Sequence, residues 1–83
     1  MKLTVKYFAS IREAIGVPGE ALNTSATSLA TLRDELLARG GAYPEVLARG
    51  RAVRMALNQV MCEETALLAE GCEVAFFPPV TGG

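Results

Sequence analysis

From Lys2 to Phe8 the chain alternates, with Leu3, Val5 and Tyr7 on one face and Lys2, Thr4, Lys6 and Phe8 on the other. A period of two is the mark of a half-buried strand. Ser10-Ile11-Arg12-Glu13 carries capping-box spacing and predicts a short helix, which a left-handed Gly16 would close. Val17-Pro18-Gly19 turns the chain, and residues 20–23 can return as a second strand. The clearest helical period follows. Thr27 is a suitable N-cap, and Leu29, Leu32, Leu36 and Leu37 form an apolar stripe at i, i+3, i+7 and i+8. Arg33, Asp34 and Glu35 are then expected to face water, with Arg39 at the negative C-terminal end and Gly40 as the stop.

Tyr43-Pro44-Glu45-Val46-Leu47 predicts one short helical turn near a proline. Val53, Met55 and Leu57 alternate with Arg54 and Ala56 in a third strand, and Asn58-Gln59 reads as a two-residue hairpin loop. Asparagine tolerates φ > 0 there, and glutamine is a poorer second residue than glycine. In that hairpin Val60 and Cys62 point inward and Met61 outward. Residues 63–70 form a polar crossing anchored by Leu67 and Leu68, and Gly71 turns it into a last strand over residues 73–77. Pro78-Pro79 cannot donate to a ladder and ends that strand. Strand, short helix, strand, long helix and three strands predict an α+β fold, a sheet with the main helix packed across one face.

Three large apolar residues fall out of phase with this core. Phe8 lies opposite Leu3, Val5 and Tyr7; the hairpin places Met61 outside; and Phe77 falls with Ala75 on the face opposite Val74 and Phe76. On three sequence-distant strands of one sheet they would merge into a patch, and such patches mark interfaces.

Composition narrows the function. The chain has 83 residues, 51% of them hydrophobic and 20% charged, which supports one globular domain. A net charge of −1 provides no basic field for nucleic acid or anionic lipid, so neither is an expected partner. The apolar runs are too short to span a membrane and Met1-Lys2-Leu3-Thr4 does not open a signal peptide, so cytoplasm is the expected location. Cys62 and Cys72 form no CxxC pair and there is no histidine, so no metal site is expected and both cysteines read as small core or strand residues. Without histidine the commonest general base near neutral pH is missing, which argues against a self-contained hydrolase.

The last strand runs into Phe76-Phe77-Pro78-Pro79-Val80-Thr81-Gly82-Gly83. A glycine pair has no side chains and no preferred sign of φ. Such a tail is slim enough to thread a channel and deliver a carboxylate to an active site on another protein.

Tyr7-Phe8-Ala9-Ser10-Ile11-Arg12-Glu13, the Asn58-Gln59 turn and the segment from Glu70 to Gly83 together resemble the MoaD-type small subunits of molybdopterin synthase. The resemblance implies a β-grasp, ubiquitin-like fold: a mixed sheet of about five strands on one main helix. It implies a sulfur carrier in molybdenum cofactor synthesis, within a heterotetrameric synthase whose catalytic pocket lies on the large subunit. No cofactor would be held permanently. An E1-like partner would use ATP to adenylate the Gly83 carboxylate, and a sulfur donor protein would convert the acyl-adenylate to a thiocarboxylate. The tail would then enter the large subunit and give its sulfur to cyclic pyranopterin monophosphate. Gly83 would carry the sulfur, Gly82, Thr81 and Val80 would form the tail, and Phe8, Met61, Phe77, Pro78 and Pro79 would meet the partner. The competing expectations are a sulfur carrier for thiazole synthesis, a ubiquitin-like protein modifier, and a thiol-redox protein using Cys62 or Cys72.

Overall fold

The computed structural model describes residues 1–79. In chain order the elements are β1 (Lys2–Tyr7), α1 (Ala9–Ile15), β2 (Gly19–Asn23), α2 (Leu29–Leu37), α3 (Ala42–Leu47), β3 (Arg54–Leu57), β4 (Val60–Cys62) and β5 (Glu73–Phe77). The strands form one sheet in the order β2-β1-β5-β3-β4. β5 runs parallel to β1, and the other pairs are antiparallel. This mixed five-stranded sheet with helices on one face is the expected β-grasp arrangement.

The alternation read in β1 is the alternation observed: Leu3, Val5 and Tyr7 are buried. The register sets Val5 beside Val74 and Tyr7 beside Phe76, and the Tyr7 and Phe76 rings stack with centroids 6.4 Å apart. These side chains meet Ile11, Leu29, Leu32, Leu36 and Leu47 in one core. Fully burying an apolar side chain of this size contributes about 2 kcal/mol, so β1, β5 and α2 carry most of the fold.

Two helix starts differ from expectation. Ser10 lies inside α1, because Phe8 is the N-cap and its carbonyl accepts from Ile11 and Arg12 N–H; the Ser10–Glu13 capping box does not form. α2 opens at Ser28 rather than Thr27. Ser28 Oγ accepts from Thr31 N–H at 3.3 Å, and Thr31 Oγ1 accepts from Ser28 N–H at 3.3 Å, a reciprocal box built with threonine. α2 also ends earlier, at Leu37, leaving Arg39 outside the helix. The Gly16 stop is as read, with φ at 95° and its N–H donating to the Arg12 carbonyl.

Arg33 does not face water; it is 4% exposed. Its Nε donates to the Leu47 carbonyl at 2.7 Å and Nη2 to the Ala48 carbonyl at 3.1 Å. The last carbonyls of α3 have no partner within the helix, and a cation there also suits the dipole. Arg33 therefore fastens α3 to α2.

Two inward assignments fail at the margins. Val60 shares a face with its partner Leu57 but is 67% exposed, because the short edge strand β4 is left uncovered there. Leu67 is 74% exposed, and the 63–70 crossing is anchored by Leu68 with its N–H on the Thr27 carbonyl.

Candidate functional site

The outer face of the sheet, away from the helices, is built from the out-of-phase positions. Register aligns Lys6, Ala75, Ala56 and Met61 in one row across β1, β5, β3 and β4. On the same face Phe77 lies next along β5, opposite Arg54. Phe8 follows β1 and its N–H donates to the Phe76 carbonyl, which holds it near the end of β5.

Small residues in the middle of that row and large ones around it make a groove of about 580 Å³. Phe8, Met61, Phe77, Pro78 and Pro79 line its walls. The structure thus brings together all five residues expected at a partner surface. Phe8 and Met61 are exposed and Phe77 is half-buried. Val80, Thr81, Gly82 and Gly83 lie outside the described residues.

Sequence reasoning missed the floor and the rim. The floor is Ala56 and Ala75, paired directly across β3 and β5 and only 6% and 7% exposed although they face away from the helices. Along the rim Lys6 Nζ lies 3.2 Å from Glu73 Oε1, and Gln59 closes the hairpin end. The hairpin is as read: Asn58 and Gln59 both have positive φ, 50° and 68°, and Leu57 pairs with Val60. Asn58 also fixes the hairpin to β5, its N–H donating to the Glu73 carbonyl at 2.8 Å and its Oδ1 accepting from Glu73 N–H at 2.9 Å.

Among the described residues that line the groove there is no cysteine, serine or threonine to serve as a nucleophile. Cys72 is buried and Cys62 half-buried, both as free thiols, and burial together with nearby Glu63 pushes the Cys62 thiol upward, which keeps it protonated. No group of acidic, cysteine or histidine side chains among the described residues could hold a metal ion. No helix among them is long and apolar enough to cross a membrane. The arrangement suits binding: an apolar concavity whose rim charges neutralise each other, at the point where β5 leads toward the tail.

A polar cluster lies elsewhere, on the helix side of the sheet. Glu20 accepts from Tyr7 and Tyr43 hydroxyls, each at 2.8 Å, and from Arg39 Nη1 at 2.7 Å. Burial alone would raise the Glu20 carboxyl, but these donors outweigh it and hold the group below the usual range. Burial and the same carboxylate push the Tyr7 hydroxyl far up, so it stays a donor.

Comparison with known proteins agrees with this fold. Residues 5–83 match the ThiS family. The chain is similar to the molybdopterin synthase sulfur carrier subunit of Haemophilus influenzae, 36% identical over 81 residues that cover 98% of this chain and 99% of that protein. Among solved structures it is similar to a chain in the complex of subunits 1 and 2 of the molybdopterin-converting factor from Helicobacter pylori. That match has a TM-score of 0.72 and 26% identity, and covers 100% of both chains. Small archaeal modifier protein 1 of Haloferax volcanii shares the fold, with a TM-score of 0.75 and 22% identity over 95% of this chain and 98% of that one.

Proposed function

The chain belongs to the ThiS family, and we propose that it is the sulfur carrier subunit of a molybdopterin synthase. One observation carries the assignment to this chain's own residues. The groove walled by Phe8, Met61 and Phe77 is completed by Pro78 and Pro79, so the docking surface and the base of the tail are one continuous feature. The near full-length likeness to curated sulfur carrier subunits supports the same reading.

In this function the tail of Val80, Thr81, Gly82 and Gly83 is the reagent. A carboxylate is a poor electrophile because its oxygen is a poor leaving group. An E1-like partner joins the Gly83 carboxylate to the AMP portion of ATP and releases pyrophosphate. The outer sulfur of a persulfide on a sulfur donor protein then displaces AMP, a C–S bond forming as the C–O bond of the anhydride breaks. A thiol reduces the acyl disulfide so formed, its S–S bond breaking as that thiol becomes a disulfide with the donor's cysteine. The resulting thiocarboxylate is a soft anionic nucleophile that requires no histidine on this chain. Docked on the large subunit, it gives sulfur to cyclic pyranopterin monophosphate. Positioning and oxyanion stabilisation come from that partner.

Incubation with an E1-like enzyme, ATP and a sulfur donor, followed by intact mass measurement, tests this reading. The expected result is a mass gain equal to one oxygen replaced by one sulfur, lost when Gly83 is deleted while the melting temperature is unchanged. Lysine-linked conjugates in place of that gain would assign a protein modifier instead.

A further inference from the structure

We propose that Ala56 and Ala75 are the specificity-determining floor of the groove, shaped to receive a bulky apolar side chain projecting from the large subunit. This rests on the docking function proposed above and adds what the partner must present. The two alanines are a cross-strand pair on β3 and β5. Along the same row their neighbours are long: Lys6 on one side and Met61 on the other. Beyond the row stand Phe8 and Phe77.

A flat β-surface becomes a hole only when its central pair is small and its surroundings are large. The low exposure of both alanines, 6% and 7%, shows how far the walls overhang them. The concavity, about 580 Å³ and open to the outside, is wide enough to admit a large side chain. The chemistry of the hole selects an apolar occupant. Its charged neighbours, Lys6 and Glu73, are paired with each other at 3.2 Å along the rim. The floor offers methyl groups only, so a polar side chain inserted there would lose water without gaining a partner. A leucine, methionine or phenylalanine would exchange water contact for contact with Ala56, Ala75 and the aromatic walls.

The test is calorimetric titration of the full-length carrier with the large subunit encoded in the same genome. Ala56→Val and Ala75→Val add methyl groups inside the hole and suit a strand, so folding should persist. Ala75→Ser is nearly isosteric and places an unpartnered hydroxyl beneath the incoming side chain, which covers the case in which valine disturbs the sheet. Each should weaken binding at least about tenfold, the discrimination an apolar pocket shows for a methylene. Met61→Ala and Phe77→Ala, run alongside, report on docking itself. Wall variants that weaken binding together with floor variants that weaken it support the proposal. Floor variants that bind like the parent while wall variants weaken overturn the proposal and leave the docking function standing. If neither set weakens binding, the proposal and the docking function both fall.

Discussion

Arg33 of α2 donates from Nε to the Leu47 carbonyl at 2.7 Å, so a buried guanidinium on one helix terminates the next. Removing it leaves the buried Leu47 carbonyl and the half-buried Ala48 carbonyl without these donors. Each unsatisfied group costs about 1–3 kcal/mol. Arg33→Ala should therefore lower stability by about 3 kcal/mol in chemical denaturation. Arg33→Lys should recover only part, because one ammonium lacks the fork that reaches both carbonyls.

Acid should loosen the Glu20 cluster. Its carboxyl binds a proton less readily folded than unfolded, because donors from Arg39, Tyr7 and Tyr43 outweigh the burial that opposes them. The stabilisation is fully present above the unfolded carboxyl's pKa, about 4.3, and is lost as pH falls through the lower folded value. Glu20→Gln should be less stable than the parent at pH 7, and the gap should close on acidification below that point. A gap that stays constant down to pH 2, read by thermal melts across pH, would contradict this account.

Phe77→Ala should separate docking from folding. The ring lies on the outer face and is half-buried, while its neighbour Phe76 fills the core. We expect large-subunit affinity to fall more than about tenfold with a stability loss of about 1 kcal/mol or less. A large fall in melting temperature with unchanged affinity would show that Phe77 serves the fold.

Gln59 occupies a left-handed conformation, φ 68°, at the second position of the β3–β4 hairpin. Such a conformation costs a residue with a side chain about 1 kcal/mol relative to glycine. Gln59→Gly should accordingly raise stability by a comparable amount, read as a higher denaturation midpoint. An unchanged or lower midpoint would mean that Gln59 contributes contacts of its own along the groove.

Strand phase was legible wherever one face meets the helices. Leu3, Val5 and Tyr7 of β1, and Val74 and Phe76 of β5, announce the core through alternation alone, and Phe8, Met61 and Phe77 announce a second surface by breaking it. Ala56 and Ala75 gave no such signal, since alanine is compatible with either face, and a floor exists only once β3 lies beside β5. Arg33 was legible in principle: it stands four residues after Leu29 and three before Leu36, within the apolar stripe of α2. Its charge argued for water, and the open carbonyls at the end of α3, a tertiary feature, decided otherwise. Val60 and Leu67 erred in the opposite sense, because hydrophobicity marks what is able to be covered and only the extent of the helices decides what is.

The place of β5 between β1 and β3 bears on how the molecule is made. Because residues 73–77 form a middle rib, the two halves of the sheet have nothing to join them until that segment has emerged from the ribosome. A chain broken off before Glu73 would leave two half-sheets with raw edges, open to aggregation or proteolysis. Synthesis thus ties a finished sheet to the presence of the stretch that ends at Phe77 and leads into Pro78 and Pro79.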